Sequence, residues 1–184
     1  MTFQRFVYEY RGWMVTPPLL FALFWTRDMV GPAWQVWPLG LLIFAAGLLG
    51  RIWAQQHLHF RLREVDNAFT HTGPYRWVRN PIYISNTLLF VGLTVLSQVL
   101  WLVPVTVVWC LIVYTIVVRE EEERLLELYG EPYAAYLRET SRWLPRPSQR
   151  EAKRFSGLLL PSLKAEAHNL LLLIPFIIKK VAIG

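Results

Sequence analysis

The sequence predicts an all-α integral membrane protein with about four transmembrane helices. Hydrophobic residues make up 54% of the 184 residues, nine residues are tryptophan, and the mean hydropathy is +0.32. A soluble domain of this length needs fewer apolar residues for its core. Several apolar stretches also approach the roughly 20 residues that a helix needs to cross a membrane. We therefore expect one membrane-embedded domain over residues 1–184.

Two apolar segments are long enough to cross the membrane without distortion, and they cover residues 34–53 and 99–118. Residues 82–96 form a shorter segment, which a tilted helix or a locally thinner bilayer accommodates. Ser97 and Gln98 follow it as a polar turn. The third and fourth transmembrane helices are therefore predicted to form a tight hairpin.

The first apolar segment, residues 13–25, contains Pro17 and Pro18. These prolines remove two backbone donors and kink a helix, so crossing, re-entrant and shallow arrangements all stay open from this segment alone. The charge distribution favours a crossing, because loops rich in Lys and Arg stay in the cytoplasm. With four crossings, Arg27 is the one such residue on the opposite side, and both termini of this multi-pass protein are cytoplasmic.

The residues that follow the fourth apolar segment are predicted to lie at the cytoplasmic face. Residues 119–147 have the leucine and tyrosine spacing of helices, with a joint at Gly130 and Pro132. We expect two cytoplasmic helices there.

The last part of the chain, residues 148–184, is predicted to be a polar connector followed by an interfacial helix. Its apolar piece, residues 170–178, is too short to span a membrane and ends in Lys179 and Lys180. An apolar helix that ends in basic residues is typical of an anchor in the plane of the membrane surface.

Composition also excludes several classes of protein. The net charge of +6 does not indicate nucleic-acid binding, because Lys and Arg flank the apolar segments, where they meet anionic lipids. The single cysteine, Cys110, lies inside an apolar segment, so no disulfide framework is predicted. His57 and His59 do not share a helix face and lack further zinc ligands nearby, so we predict no metal site.

A turn-rich box at residues 67–83 is the first candidate functional segment. Its dipeptides Gly73-Pro74 and Asn80-Pro81 favour turns. Its aromatic and guanidinium side chains are those of Tyr75, Arg76, Trp77, Arg79 and Tyr83. Such a loop suits a ligand with an aromatic ring and anionic ends. It equally suits an aromatic and arginine belt that only anchors the protein among lipid headgroups.

An acidic cluster at residues 119–124 is the second candidate. Helical spacing puts Arg119 on the same face as Glu122 and Glu123, and four successive carboxylates at residues 120–123 repel one another. The cluster is either a surface charge run or a set of carboxylates that bind a cation or sugar hydroxyls.

In this order, the box and the cluster resemble motifs of the isoprenylcysteine carboxyl methyltransferases and the related phospholipid N-methyltransferases. In that family a Gly-x-Tyr-Arg-x-x-Arg-His-Pro-x-Tyr box precedes a transmembrane hairpin, and a Glu-Glu pair follows the hairpin. Here the residues that match the family's motif are 73–83, within the box, and the pair opens the segment 121–130. The resemblance covers about residues 47–147. It departs at Asn80, and also at Asn67, where the family has His.

The resemblance implies that S-adenosylmethionine binds between the box and the acidic cluster at the cytoplasmic face, on the loop 54–81. Glu121 or Glu122 would contact its ribose or amino end, and Arg119 is the nearest match to an arginine on the substrate side. The candidate catalytic residues are thus Arg119 and Glu122. The candidate cofactor-binding residues are Asn67, Ala68, Phe69, Thr70, Tyr75, Asn80, Pro81, Ile82, Tyr83, Glu121 and Glu122.

The implied function is that of a membrane methyltransferase with a lipid-like or prenylated acceptor. Asn80 cannot change its charge near neutral pH and does not serve as a general base, so a carboxylate or thiol acceptor is favoured over an amine. The alternatives are an NADPH-dependent membrane reductase of the sterol or steroid type and a non-enzymatic membrane scaffold. The cofactor that binds distinguishes the three.

Overall fold

The computed structural model describes residues 3–61, 69–146 and 159–183. All regular elements in these ranges are helical, which confirms the predicted all-α fold. In chain order the α-helices are α1 (Phe3–Glu9), α2 (Arg11–Met14), α3 (Pro17–Phe24), α4 (Ala33–Arg61), α5 (Pro81–Leu96), α6 (Leu102–Tyr129), α7 (Glu131–Glu139), α8 (Leu159–Glu166) and α9 (Leu173–Ile183). Short 3₁₀ helices cover Gly73–Arg76 and Ala167–Leu172.

Helices α4 and α6 have the length and hydropathy that a membrane crossing requires, over Ala33–Leu58 and Leu102–Tyr129. They contain most of the two long segments predicted from the sequence. Helix α5 is apolar but has 16 residues, fewer than the roughly 20 of an upright crossing helix.

Helices α5 and α6 form the predicted hairpin. Gln98 lies between them with a φ of 64°, which reverses the chain direction. Its side chain donates a hydrogen bond to the Gly31 carbonyl at 2.5 Å, and the Val30 amide donates to the Gln98 carbonyl at 2.9 Å. Inside the hairpin, the hydroxyls of Thr94 and Thr106 lie 3.1 Å apart. We call this end of the bundle the turn end and the opposite end, where α5 begins, the box end.

Glycines bring the backbones of α4 and α5 into close contact. A Cβ added at Gly47 would lie 2.7 Å from the Leu89 amide nitrogen and 2.8 Å from the Ser85 carbonyl oxygen. A Cβ added at Gly92 would lie 2.6 Å from the Phe44 amide nitrogen. Small residues allow this approach, which is a common way for helices to associate within a membrane.

The first three helices run along α6. Val7 of α1 packs in a buried cluster with Val117. The indole nitrogen of Trp109 donates to the Met14 carbonyl at the end of α2, at 2.7 Å, and Leu19 of α3 belongs to the core cluster near the turn end. The helical path breaks before the two prolines that begin α3. The segment therefore extends along the bundle from its box end toward its turn end.

The C-terminal helices also lie along the bundle. The guanidinium of Arg51 on α4 makes a two-pronged ion pair with the fully buried carboxylate of Glu166. The ammonium of Lys179 donates to the carbonyls of Ala22 and Trp25, each at 2.6 Å, and to that of Ser97 at 3.3 Å.

These contacts differ from the predicted interfacial helix. Lys179 is bound at the turn end, whereas Glu166 pairs with the part of α4 nearer the box end. Glu166 ends α8 and Lys179 lies on α9, so the C-terminal segment as a whole extends between these two levels. The two buried charges are satisfied inside the bundle, and the apolar residues between them cover its outer surface. The hydrophobicity of residues 170–178 alone does not reveal this arrangement.

Helix α6 continues past the predicted boundary at residue 118 and ends at Tyr129. The acidic cluster is therefore on the same continuous helix as the fourth apolar segment. Gly130 has a φ of +57°, which ends α6, and α7 begins at Glu131 with a proline in its first turn. The predicted joint between two helices is thus at the expected place.

We expect Gly47→Ala to destabilise the protein by about 1–3 kcal/mol, because the new methyl group meets the backbone of α5 and forces the two helices apart. Gly12→Ala is the matched control, since a Cβ there meets no atom within 4 Å. Thermal unfolding in detergent measures both. Equal unfolding midpoints for Gly47→Ala and the unchanged protein would contradict the close packing.

We expect Arg51→Met alone to destabilise the protein by about 3–5 kcal/mol, because it leaves the buried Glu166 carboxylate without its cation. The double variant Arg51→Met/Glu166→Met should lose much less unfolding free energy than the two single variants lose in sum. A double-mutant cycle of unfolding free energies measures the coupling. Additive losses would show that the C-terminal helices do not dock through this pair.

Candidate active site

The hairpin brings the acidic cluster back to the box. Tyr83 lies in the first turn of α5 and its hydroxyl donates to a Glu121 carboxylate oxygen at 2.9 Å. The Tyr83 ring also packs on the Tyr114 ring, with 4.9 Å between centroids. One hydrogen bond therefore joins the start of α5 to the end of the long apolar part of α6.

A tight turn shapes the box. Gly73 has a φ of +58° and opens a 3₁₀ helix over Gly73–Arg76. The His57 ring lies directly against Gly73, where any Cβ would overlap the ring, and His57 Nδ1 lies 2.9 Å from the Thr72 hydroxyl. Only glycine fits this position, and His57 supports the turn from α4.

The segment after α7 closes over the box. The Arg79 amide donates to the Ser141 carbonyl at 2.9 Å, and the Arg146 amide donates to the Trp77 carbonyl at 3.0 Å. The buried hydroxyl of Tyr136 on α7 donates to the Tyr75 carbonyl at 2.7 Å. Backbone groups of the box that would otherwise be unpaired are satisfied in this way. We call residues 140–146 the closing segment.

The Glu122 carboxylate lies between two guanidinium groups. Arg142 donates to it through Nη2 at 2.5 Å and Nε at 3.3 Å. Arg79 Nε lies 3.0 Å from Oε1, the oxygen that Arg142 Nε also contacts, without the alignment of a hydrogen bond, so this contact is charge attraction. Glu122 is only 7% exposed. The carboxylate thus links α6, the box and the closing segment.

A cavity of about 140 Å³ opens between the box and the acidic cluster. Most of the predicted cofactor-binding residues line it. They are Phe69, Thr70, Tyr75, Asn80, Pro81, Ile82, Tyr83, Glu121 and Glu122. Asn67 and Ala68 lie outside the described residues. Arg119 is exposed and is not among the described residues that line the cavity.

Asn80 occupies the position where the resembled family has His. It precedes α5, and its side-chain nitrogen lies 3.4 Å from the Arg142 carbonyl oxygen, at the long limit of a hydrogen bond. Its side chain makes no capping bond to α5. Asn80 therefore connects the box to the closing segment while one side faces the cavity.

Five further residues line the cavity that the sequence did not single out for it. They are Leu58, Arg79, Leu125, Tyr133 and Tyr136. Arg79 was visible as a donor within the box. Leu125 and Tyr136 belong to the helical spacing after residue 118. Leu125 is on α6 and Tyr136 is on α7, so the direction of Tyr136 toward the cavity depends on the turn at Gly130.

Aromatic rings form one wall of the cavity. Phe69 meets Tyr133 and Tyr136 with ring centroids 5.0 and 5.3 Å apart, and Tyr129 at 5.6 Å. Burial, reinforced by the negative charge of Glu122, raises the pKa of the Tyr133 hydroxyl above its ordinary value. This hydroxyl is therefore neutral at physiological pH and is a hydrogen-bond donor.

These features define a helical protein with two helices long and apolar enough to cross a membrane and with a cavity at the end of an apolar hairpin. A profile of the phospholipid methyltransferase family matches residues 36–132, which is more than half of the chain. The chain therefore belongs to this family of membrane methyltransferases.

Two curated proteins are similar in sequence. The cobalt-zinc-cadmium resistance protein CzcN of Cupriavidus metallidurans is 29% identical over 124 residues, which cover 67% of this chain and 55% of that protein. The nickel-cobalt-cadmium resistance protein NccN of Alcaligenes xylosoxydans xylosoxydans is 28% identical over 109 residues, which cover 59% of this chain and 49% of that protein. The chain thus spans about half the length of these relatives. No solved structure matches it.

We expect Glu122→Gln to destabilise the protein by about 2–3 kcal/mol, because Arg79 and Arg142 lose their shared carboxylate. The value is reduced for the partial exposure of Arg142. Glu123→Gln changes the same charge at an exposed neighbour and should leave the unfolding midpoint unchanged. If the two variants unfold alike, Glu122 does not hold the closing segment on the box.

Proposed function

We propose that the protein transfers a methyl group from S-adenosylmethionine to a lipid-like or prenylated acceptor at the cytoplasmic face of the membrane. The observation that carries the proposal is the cavity between the box and the acidic cluster, because the nine described candidate cofactor-binding residues line it. Membership of the phospholipid methyltransferase family supports the reaction class.

The residues around the cavity fit this cofactor. Thr70 has a buried hydroxyl with no hydrogen-bond partner among the described residues, and it lies in the cavity wall. Such an orphaned group favours a polar ligand. Glu121 supplies carboxylate oxygens for ribose hydroxyls, and the rings around Phe69 supply flat surfaces for an adenine. Glu122 is already held by two arginines, so Glu121 is the better candidate for direct contact.

The chain's own residues would mainly position the reactants. When bound, S-adenosylmethionine supplies a methyl group whose bond to sulfur breaks, with the electron pair staying on sulfur, as the acceptor forms the new bond. Such a displacement depends on alignment and on exclusion of water. Tyr83 fixes the Glu121 carboxylate, and the closing segment shields the box from solvent.

The acceptor atom is proposed to be a carboxylate oxygen or a thiolate sulfur. Both have a free electron pair at neutral pH, whereas a protonated amine must first lose a proton. Asn80 offers no general base at the position of the family's His. Arg119 is exposed at the end of the apolar part of α6, where it would meet an acceptor approaching from the membrane surface.

The proposed topology has four crossings with both termini in the cytoplasm. The first segment follows α6 from the box end toward the turn end, which supports its crossing. The acceptor would reach the cavity laterally from the membrane, while the water-soluble cofactor enters from the cytoplasm. This arrangement keeps a lipid-attached acceptor in the bilayer throughout the reaction.

Calorimetric titration of the purified protein tests the proposal, and we expect saturable binding of S-adenosylmethionine. Glu121→Gln should weaken binding about tenfold, because a hydrogen bond to a charged group contributes about 1.5–3 kcal/mol. Glu123→Gln should bind as the unchanged protein does. Failure of the unchanged protein to bind would contradict the proposal, and thermal protection by NADPH instead would indicate the reductase.

A further inference from the structure

A charged side chain lies inside the bundle below the cavity. Arg51 is within the apolar span of α4, seven residues before Leu58, which lines the cavity. Its guanidinium pairs with the fully buried Glu166 of α8. An ionisable group within a membrane span is costly and usually serves a function. Docking of the C-terminal helices accounts for the ion pair, but the guanidinium also makes a contact toward the cavity.

That second contact is with Asn86 of α5. Arg51 Nη1 donates to the side-chain oxygen of Asn86. Asn86 follows Tyr83 by three residues, so the two side chains are neighbours on one face of α5. Tyr83 and Ile82 both line the cavity. The Asn86 amide is therefore about one helical turn below the cavity wall, and α4 holds it there.

Tyr114 of α6 completes the connection to the cavity. Its buried side chain forms a hydrogen bond with Asn86. Because the Asn86 oxygen accepts from Arg51, the amide nitrogen remains to donate to the Tyr114 hydroxyl. The Tyr114 ring packs on the Tyr83 ring with 4.9 Å between centroids, and the Tyr83 hydroxyl donates to Glu121 at 2.9 Å. A continuous series of contacts thus joins Arg51 to a carboxylate in the cavity wall.

The orientation of Glu121 depends on this series of contacts. Within the described part of the chain, no cation forms an ion pair with Glu121, and Tyr83 donates the hydrogen bond that holds it. A tyrosine side chain has several allowed rotamers unless its neighbours restrict it. Tyr114 is such a neighbour, and its own orientation is restricted by the hydrogen bond with Asn86. Loss of the Asn86 amide should therefore loosen the Tyr83–Glu121 pair.

We infer that Asn86 is a positioning residue, which fixes the orientation of the Glu121 carboxylate for the cofactor. Arg51 holds the Asn86 amide, and the two tyrosines transmit its position to Glu121. This inference rests on the proposed function. Arg51 also binds Glu166, which lies beyond the residues that the family profile matches. Docking of the C-terminal helices and the geometry of the cavity wall are thereby connected.

Calorimetric titration with S-adenosylmethionine tests the inference on Asn86→Ala, which adds no bulk and keeps the ion pair of Arg51 with Glu166. We expect its affinity to fall about fivefold, which corresponds to one hydrogen bond. Thr94→Val is the matched control, because it removes another polar contact of the hairpin, to Thr106 at 3.1 Å near the turn end. This control should keep the affinity even where its unfolding midpoint falls as far. Equal affinities for Asn86→Ala and the unchanged protein would overturn the inference.

A double-mutant cycle distinguishes positioning of Glu121 from a general structural effect. In Glu121→Ala no carboxylate remains to be positioned, so adding Asn86→Ala should not weaken cofactor binding further. Independent losses that add in the double variant would show that Asn86 does not act through Glu121.

The orientation of Tyr83 is measured without cofactor by fluorine NMR of the full chain labelled with 3-fluorotyrosine. The Tyr83 resonance, assigned with Tyr83→Phe, should shift or broaden in Asn86→Ala and stay in place in Thr94→Val. An unchanged Tyr83 resonance in Asn86→Ala contradicts the inference. A changed resonance in a protein that does not bind S-adenosylmethionine would leave the positioning by Asn86 standing and remove only the proposed function.

Discussion

The carboxylate of Glu122 is the contact on which the rest of the site depends. It is nearly buried; Arg142 from the closing segment contacts both of its oxygens, and Arg79 from the box contacts one of them. A buried carboxylate without such partners is strongly unfavourable, so the three pieces of chain assemble together. The cavity beside it exists because this contact holds the box against the end of α6.

The packing of the other helices determines the position of Glu122. Helix α6 is continuous from the turn end to Tyr129, so the position of the acidic cluster follows from the hairpin at Gln98. Helix α5 is held against α4 by facing glycines, and α4 carries His57 to the underside of the turn at Gly73. The terminal segments pack along the outside, where Arg51 of α4 pairs with Glu166 of α8 and Lys179 of α9 donates to the Ala22 carbonyl. Rigid helices therefore carry every side chain of the cavity except those of the box itself.

Sequence reasoning predicted the meeting of the box and the acidic cluster because one uncharged stretch with a central polar turn connects them. It also predicted the break at the paired prolines and the joint at Gly130, since Pro and Gly constrain the backbone locally. Local rules do not predict the pairing of Glu122 with Arg142, because that contact depends on the direction in which α7 leaves α6. Local rules also do not predict that Tyr133 and Tyr136 line the cavity, because their placement depends on the same direction of α7.

The docking of the C-terminal helices is a second feature that the sequence alone does not predict. A short apolar stretch with terminal lysines is typical of a surface anchor. What distinguishes this segment is that Glu166 and Lys179 each have a partner inside the bundle, and neither partner is near in sequence. Buried charges in apolar surroundings are satisfied by tertiary contacts, so their role is visible only when the helices are placed together.

The central claim is that the box and the acidic end of α6 form one binding site for S-adenosylmethionine. Ultraviolet cross-linking of the isotopically labelled cofactor to the purified protein, followed by peptide mapping, measures this most directly. The account predicts saturable labelling of two separate peptides, one from residues 69–83 and one from residues 121–136. Saturable labelling elsewhere, or of one of these peptides alone, would contradict it.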